Sequence, residues 1–276
     1  MLKDWEHRML LDADKWSAVL ETQGPIVPYI DRIFAASPQE YETLVGDLLA
    51  AGMISFTSDP SDLVIPFFVE KRGKSSIRLV LDARCVNRRF RAPPEILMSS
   101  GMSWASLRIP QDQTMAIAQS DLKDAFYHLG LPPSMMLMFC LPPVRRSLLN
   151  QLQVFCHFCQ DVTGVSKVWP QLRILPMGFS WAFSLVQRLH LFQAARGAKL
   201  APSRVLHDHT LAPSLHEGPV LMAYCDNLAI VGLNSIEVNQ CLKDSIDHMT
   251  KHGLLVHDIE WAASRVKSLG YIVDGA

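Results

Sequence analysis

Apolar and polar positions along this chain follow two spacings, which predict helices and strands. After Ser37, apolar residues recur at helical spacing as far as Leu49. Ser37 is the expected N-cap, because Pro38 suits the first helical position and Glu40 stands three residues after the cap. Gly52 is the expected stop. The pattern therefore predicts a helix from Ser37 to Gly52.

Two pairs of β-rich runs predict hairpins. Leu63–Val69 and Ile77–Leu81 are joined by a polar turn that contains glycine. Further along, Met222–Gly232 leads through apolar residues to a turn at Asp226 and Asn227 and continues as a second apolar run. Asp and Asn tolerate turn geometry, so the second hairpin is expected to hold a carboxylate at its tip. Most Asp-Asn turns are only turns, and this one gains interest from a second carboxylate upstream.

That second carboxylate is Asp121. Within Met115–Leu131, an apolar strand is predicted to end at Asp121, and Asp124 is predicted to open a short aromatic helix. Asp121 and Asp226 would then both lie at strand ends. Two carboxylates from distant parts of a sequence are what a two-metal site for phosphoryl transfer requires.

The other segments complete an α+β pattern. The predicted elements are an initial helix within residues 1–36, an irregular polar stretch over Arg145–Gln171, a helix through Val186 and Leu191, a surface loop over residues 196–219, a helix over Ile236–His252, and a strand pair within Val266–Val273. Strands, hairpins and helices in this order fit an antiparallel sheet with helices on one face.

Composition narrows the class of protein. Hydrophobic residues make up 49% of the 276 residues and charged residues 19%, which is typical of a folded globular chain. The formal net charge is −1, so nucleic-acid binding would rest on local basic patches. One patch runs from Lys71 to Arg91, with eight Lys or Arg residues against the single acid Asp82. It fits a solvated edge hairpin and a phosphate-binding finger about equally.

The cysteines and the termini bear on location. Six scattered cysteines predict reduced thiols in an intracellular protein of the cytoplasm or nucleus. Cys156 and Cys159 resemble half of a zinc site, but no second pair follows at metal spacing, so buried thiols are predicted. Charged residues after Met1 argue against a signal peptide. The uncharged run Ala125–Val144 is interrupted by proline pairs, so neither a membrane span nor a membrane partner is expected.

The order of these pieces resembles a reverse transcriptase over about residues 38–276. Five segments carry the resemblance: PFFVEKRGKSSIRLVLDARCVN (66–87), SDLKDAFYHLGLP (120–132), LPMGFSWAFSLVQ (175–187), AYCDN (223–227) and SLGYIV (268–273). They resemble, in turn, the fingers hairpin, the first palm motif, the motif along template and nucleotide, the catalytic hairpin, and the hairpin that grips the primer. Each motif is weak alone, but five in order are specific.

The resemblance implies a right-hand polymerase fold, with a palm sheet that has helices on one face, a fingers region, and no thumb. Residues 1–36 would be a helical extension, residues 37–114 fingers-like, and residues 115–276 palm-like. The implied function is the RNA-directed DNA polymerase of a retrotransposon-type element. Its partners would be an RNA or DNA template with primer, deoxynucleoside triphosphates, and other parts of a retroelement polyprotein.

The resemblance also implies roles for individual residues. The catalytic residues would be Asp121, Asp226 and Asn227, and the ligands of two Mg²⁺ or Mn²⁺ ions would be Asp121, the backbone carbonyl of Leu122, and Asp226. The nucleotide-binding residues would be Lys71, Arg78, Asp124, Ala125, Phe126, Met177 and Gly178. The primer grip would be Leu269, Gly270 and Tyr271. Asp82 and Arg84 would form an internal ion pair.

Three departures from the family pattern leave alternatives open. Asn227 stands where the family usually has a second Asp, Met177 where many retroviral-type enzymes have Gln, and His257 to Glu260 lacks a lysine that the family often has there. A degenerate copy that binds nucleic acid without catalysis is one alternative. An RNA-templated RNA polymerase is another, favoured by the Asp226-Asn227 pair but opposed by the fingers motif and by Phe126. The Phe126 ring would collide with a ribose 2′-hydroxyl if it lies under the sugar; the other interpretation of Phe126 is an ordinary core aromatic.

Overall fold

The computed structural model describes residues 9–11, 15, 22–70, 77–152 and 166–276. This part of the chain is a mixed α+β protein with antiparallel sheets. Its helices and strands are α1 Arg32–Ala36, α2 Pro38–Ala50, β1 Ile54–Thr57, β2 Ile65–Glu70, β3 Ile77–Asp82, α3 Arg84–Asn87, α4 Gly101–Ser106, β4 Ala116–Leu122, α5 Pro133–Met136, β5 Val144–Arg145, α6 Ser147–Gln151, β6 Lys167–Leu172, α7 Ala182–Gly197, β7 Val220–Tyr224, β8 Asn227–Gly232, α8 Ser235–Lys251, β9 Val256–Ala263, β10 Arg265–Ser268 and β11 Tyr271–Asp274. Two compact units result, residues 1–93 with 129–182 and residues 94–128 with 183–276.

The first unit contains the hairpin of β2 and β3 and a separate sheet of order β1-β6-β5. The β2–β3 hairpin confirms its prediction from the sequence, although its turn, with Lys71, lies outside the described residues. Three phenylalanine rings form an aromatic centre in this unit. Phe179 makes edge-to-face contacts with Phe90 and Phe139, with ring centroids 4.7 and 4.9 Å apart.

Helix α2 confirms the helix predicted between Ser37 and Gly52. Its capping differs from the prediction, because the Ser37 side chain makes no capping hydrogen bond. Ser37 instead contributes its backbone carbonyl, which accepts a hydrogen bond from the Glu40 N–H at 3.2 Å. Gly52 follows the helix with φ of +70°, the left-handed conformation that ends many helices.

The stretch Arg145–Gln171 is not irregular throughout, so that prediction was wrong. It contains the end of β5, helix α6 and most of β6, while residues 153–165, with Cys156 and Cys159, lie outside the described part. Along β6 exposed or half-buried residues alternate with buried ones, the usual pattern of a strand. Pro170 hid this pattern, because a proline cannot donate to the ladder and normally argues against a strand.

The second unit is built on a sheet of order β7-β8-β4-β9, with every neighbouring pair antiparallel. Strands β7 and β8 are the hairpin predicted at Met222–Gly232. Helix α8, which confirms the helix predicted over Ile236–His252, contacts β4, β8 and β9. Its fully buried residues Val238, Leu242 and Met249 recur at helical spacing, so its apolar face covers the sheet.

The opposite face of that sheet has its own apolar cluster. The buried members are Met115, Ile117, Leu206, Leu215, Val220, Met222, Ala229, Val231 and Val266. Leu206 and Leu215 come from the loop predicted over residues 196–219, so this loop contributes two core residues as well as surface. β10 and β11 confirm the final strand pair, and the side chain of Val266 joins the cluster.

The N-terminal segment is anchored where the structure describes it. Asp31 is buried, and its carboxylate accepts hydrogen bonds from the N–H groups of Ile33 at 2.9 Å and Phe68 at 3.2 Å. These bonds cap α1 and attach it to β2. Much of the helix predicted within residues 1–36 lies outside the described residues. Among the described residues, no helix combines the length and apolar character needed to cross a membrane.

Candidate active site

Asp121 and Asp226 meet at one end of the sheet in the second unit. Asp121 lies near the end of β4, directly opposite Asn227, the first residue of β8. Asp226 lies in the two-residue turn that joins β7 to β8. The Leu122 N–H donates a hydrogen bond to the Asp226 carbonyl oxygen at 2.8 Å. The two strand ends predicted from distant parts of the sequence are therefore held together by backbone hydrogen bonding.

The electrostatic environment of Asp121 opposes its ionisation. Burial, and then repulsion from Asp226, raise its pKa from 3.8 to about 6. His257 and the Leu122 N–H act in the opposite direction, and Asp258 adds repulsion. A partly buried carboxylate whose pKa is raised by burial and by a second carboxylate is a candidate member of a functional site.

His257 is a basic side chain close to Asp121. Strand β9 places it across the ladder from Asp121, with His257 Nε2 4.0 Å from Asp121 Oδ1 and Nδ1 3.3 Å from Asp258 Oδ2. In the sequence, His257 stands out only as the start of the segment that lacks a lysine, because β9 was not predicted as a strand.

Asn227 interacts with Asp226. Its Nδ2 group donates a hydrogen bond to Asp226 Oδ1 at 3.1 Å. The side chain thus contributes a donor beside a carboxylate, at the position where the reverse transcriptases that the sequence resembles usually have a second Asp. This hydrogen bond uses one acceptor position of Asp226.

The donor set of this site suits a magnesium ion. The described residues contain no cluster of three or more His, Cys, Asp or Glu side chains arranged for a metal. Two carboxylates with a nearby backbone carbonyl are nevertheless sufficient for Mg²⁺, which retains water and binds substrate phosphates to complete its shell. Asp121, Asp226 and the carbonyl of Leu122 would hold it, and the Leu122 carbonyl ligand stays a prediction.

The segment that follows Asp121 forms only a short 3₁₀ helix. Asp124 has φ of +51°, and Ala125–His128 is a single 3₁₀ turn closed by a 2.8 Å hydrogen bond from the Tyr127 N–H to the Asp124 carbonyl. So short a turn offers little helix dipole for phosphate binding. Ala125 is buried and Phe126 is half-buried, so Phe126 is not a fully enclosed core aromatic.

Met177 and Gly178 lie against β3 in the first unit. The Leu81 N–H donates to the Met177 carbonyl at 2.9 Å. Asn87 Nδ2 donates to the Gly178 carbonyl at 3.0 Å, and Asn87 Oδ1 accepts from the Ser180 N–H at 2.9 Å. Gly178 has φ of +121°, and an added Cβ would come 2.0 Å from the Leu81 carbonyl oxygen. Only glycine fits this approach.

Of the two basic residues predicted to bind nucleotide, Arg78 is described by the structure. Arg78 lies on β3 opposite Val69 and is exposed. Lys71 lies outside the described residues. The nucleotide-binding roles of Lys71 and Arg78 stay predictions.

The predicted ion pair of Asp82 and Arg84 is confirmed. Arg84 donates to both carboxylate oxygens, at 2.8 Å through Nε and 2.7 Å through Nη2. The Arg84 hydrogen bond is the main reason that the pKa of Asp82 is lowered to about 2. The pair also holds the N-terminal segment, because Asp82 accepts from the Tyr29 N–H at 2.8 Å and Arg84 donates to the Val27 carbonyl at 3.1 Å.

The predicted primer grip is a tight hairpin. Leu269 and Gly270 form its two-residue turn, with φ of +49° and +84°, the signature of a type I′ turn. Tyr271 follows and is 57% exposed. Its ring lies over Gly101, where an added Cβ would be 2.9 Å from the ring. These residues lie in the same unit as the carboxylates.

The structure adds two residues that sequence reasoning did not single out as functional. Gln187 and His190 of α7 are both buried at 1% exposure and both bond to the backbone of the β7–β8 turn. The available signal was the spacing of Gln187 and His190, three residues apart on one helix, with His190 between two leucines. A comparison of the chain with protein-family models and with curated proteins finds no match.

Proposed function

We propose that this chain is the polymerase domain of a retrotransposon-type element, an RNA-directed DNA polymerase that transfers deoxynucleotides to a primer. The observation that carries the proposal is the meeting of Asp121 and Asp226 at one end of an antiparallel sheet. The sheet, the carboxylate-bearing turn and the final hairpin would be the palm, and the β2–β3 hairpin would belong to the fingers. The partners would be a primed RNA or DNA template and deoxynucleoside triphosphates.

The residues of the site have separate tasks in this proposal. Asp121 and Asp226 bind cations and set the place where the primer end and the nucleotide phosphates meet. Bound Mg²⁺ or Mn²⁺ ions supply the acidity that activates the primer 3′-hydroxyl and the charge that stabilises the leaving pyrophosphate. Phe126 excludes a ribose 2′-hydroxyl. The raised pKa of Asp121 supports the assignment, because an empty carboxylate pair is destabilised and a cation relieves its repulsion.

A second candidate function is nucleic-acid binding without efficient catalysis. The observation that favours this second function is the hydrogen bond from Asn227 Nδ2 to Asp226 Oδ1 at 3.1 Å. A neutral amide that donates to the metal-binding carboxylate lowers both the charge and the free lone pairs of the site. Metal affinity is then lower than with a carboxylate at this position.

Primer extension on an RNA template with deoxynucleotides tests both candidates. Wild type, Asp226→Ala and Asn227→Asp are compared in Mg²⁺ and in Mn²⁺, with Asp247→Asn as a control that removes an exposed carboxylate of α8. Extension by wild type that is lost only in Asp226→Ala supports the polymerase. Extension that requires Asn227→Asp supports the second candidate. Extension that survives in Asp226→Ala refutes the assigned site.

Ribonucleotide use separates the DNA polymerase from an RNA-templated RNA polymerase. Phe126→Ala should increase ribonucleotide incorporation relative to deoxynucleotide incorporation, because the half-buried ring would no longer occupy the space beside the sugar. Unchanged discrimination would remove the assigned role of Phe126. A wild type that prefers ribonucleotides would favour the RNA polymerase.

A further inference from the structure

Strand β7 lies at one edge of the four-stranded sheet. Backbone groups of an edge strand that face away from the sheet need partners from elsewhere in the fold. Close to the Asp226 turn, these partners include side chains, and the Ser99 N–H also donates to the Ala223 carbonyl at 3.3 Å. The Ala223 N–H donates to the Ser99 hydroxyl at 3.3 Å, and the Gln187 amide donates to the Ala223 carbonyl at 3.0 Å.

The side chains of α7 continue this pairing into the turn itself. Gln187 Oε1 accepts a hydrogen bond from the Cys225 N–H at 2.5 Å. His190 Nδ1 lies 2.8 Å from the Cys225 carbonyl oxygen. Gln187 and His190 are three residues apart on one helix, so they share a face. Both polar groups of the Cys225 backbone are therefore bonded to buried side chains.

Cys225 has the backbone conformation that most needs such support. Its φ is +54°, a region that glycine adopts freely and other residues adopt at a cost. Cys225 has positive φ and Asp226 does not, and in two-residue hairpin turns of that kind the first residue is usually glycine. Strained conformations of this kind persist where several contacts over-determine them, and hydrogen bonds to both backbone groups do so here.

The state of His190 fits a dedicated hydrogen-bond donor. A carbonyl oxygen only accepts, so Nδ1 carries the proton and donates it to Cys225. Burial lowers the pKa of His190 to about 4, although its bond to Cys225 opposes this effect, so the ring is neutral. Its Nε2 is buried without a hydrogen-bond partner in the described structure. An unpartnered buried nitrogen destabilises the fold. Packing alone does not explain why a histidine stands here, because a leucine could fill the same space without that cost.

We infer that Gln187 and His190 are positioning residues that hold the Cys225–Asp226 turn in the conformation that places Asp226 beside Asp121. The conformational role stands on the hydrogen bonds and the strained backbone. Its meaning for catalysis rests on the proposed function.

A double-mutant cycle tests the conformational role without any need for activity. Thermal unfolding is measured for His190→Leu alone, for Cys225→Gly alone and for the double variant. Glycine adopts positive φ without strain, so His190→Leu should lower the unfolding midpoint clearly less in the Cys225→Gly protein than in the natural one. Equal lowering in both proteins would mean ordinary packing and would overturn the inference.

The matched control is another buried polar contact, made by Ser245 on α8. Its hydroxyl donates to the Ala194 carbonyl at 2.9 Å, on α7 but away from the turn. Ser245→Ala should lower the midpoint by the same amount with or without Cys225→Gly. If Ser245→Ala lowers the midpoint less in the Cys225→Gly protein than in the natural one, the glycine stabilises the unit in general. The smaller effect of His190→Leu would then not indicate a specific interaction with Cys225, and the inference would be overturned.

Mn²⁺ binding, followed by electron paramagnetic resonance, tests the consequence for the carboxylate pair. His190→Leu should weaken Mn²⁺ binding roughly tenfold or more, as is usual when the support of a metal ligand is removed. His190→Asn, which keeps an N–H donor near the position of Nδ1, should restore most of the affinity. Affinity that is unchanged in His190→Leu would overturn the positioning role.

The two experiments separate this inference from the proposed function. Absence of Mn²⁺ binding in wild type, with coupling in the unfolding cycle, would refute the metal site and leave the conformational role supported. Mn²⁺ binding that depends on Asp226, with additive unfolding effects, would support the metal site and overturn the positioning role.

Discussion

Asp121→Asn should make the protein more stable at neutral pH while it removes a proposed metal ligand. The pKa of Asp121 is raised from 3.8 to about 6, first by burial and then by Asp226. At about 1.4 kcal/mol per pKa unit, the full shift would correspond to about 3 kcal/mol. The side chain is 30% exposed, and water screens its charge, so we expect roughly 1 to 2 kcal/mol.

The sign of this effect fixes its pH window. The folded protein holds the Asp121 proton more tightly than the unfolded chain does, so stability falls as pH rises from about 4 to about 6. Asparagine bears no charge and avoids this loss. The thermal midpoint of Asp121→Asn should therefore equal that of wild type near pH 4 and exceed it at pH 8, by about 2 to 4 °C for each kcal/mol.

Thermal unfolding across pH 4 to 8, without divalent cations, measures the difference. Asp247→Asn on α8 is the control, because Asp247 is an exposed carboxylate. Added Mg²⁺ should raise the wild-type midpoint at pH 8, because a bound cation offsets the repulsion between the two carboxylates. It should raise the midpoint of Asp121→Asn much less, because that variant lacks one of the two proposed carboxylate ligands. A gain that is absent at pH 8, or equally large at pH 4, would refute the electrostatic reasoning.

Two further substitutions test local geometry through chemical unfolding. Gly178→Ala should lower the free energy of unfolding by at least about 2 kcal/mol, because its Cβ would come 2.0 Å from the Leu81 carbonyl oxygen. The control Gly253→Ala, also at positive φ but with open space around it, should lower it by only about 1 kcal/mol. Equal losses would contradict the steric argument. Asn234→Ala should lower the free energy of unfolding by about 1 kcal/mol, because the Asn234 side chain caps α8 with two hydrogen bonds. The control Ser37→Ala, at a cap without a side-chain hydrogen bond, should lower it less. A larger loss in Ser37→Ala than in Asn234→Ala would contradict the assigned capping.

The carboxylate-bearing hairpin was predictable because its signals are local. The apolar runs of β7 and β8 meet at a turn, which the sequence predicts at Asp226 and Asn227 and the structure places one residue earlier, at Cys225 and Asp226. Asp121 was predictable at the end of an apolar strand for the same reason. That the two strand ends pair was a hypothesis from their similarity, since no local pattern specifies which strands become neighbours.

Strand β9 was not predicted because its sequence lacks a strand pattern. Five of its residues, Asp258, Ile259, Glu260, Trp261 and Ala263, are exposed and mix charged with apolar types. Such a strand is specified by pairing with β4 rather than by its own hydrophobic alternation. The neighbourhood of His257 and Asp121 is therefore visible only in the folded chain.

The support of the turn was hidden for a related reason. Gln187 and His190 carry polar side chains, which on an amphipathic helix usually face water. Here both are buried because they complete the backbone hydrogen bonds of a strand far away in sequence. Sequence spacing places them on one face of α7 but does not identify their partner.

Strand β9 also affects how the sheet meets other molecules. It lies at the opposite edge of the sheet from β7, and a long exposed edge can template intermolecular strand pairing and aggregation. Charged Asp258 and Glu260, together with two register shifts in its pairing with β4, interrupt the regular edge that a second strand would need. The irregularity of β9 therefore disfavours self-association at the edge beside Asp121.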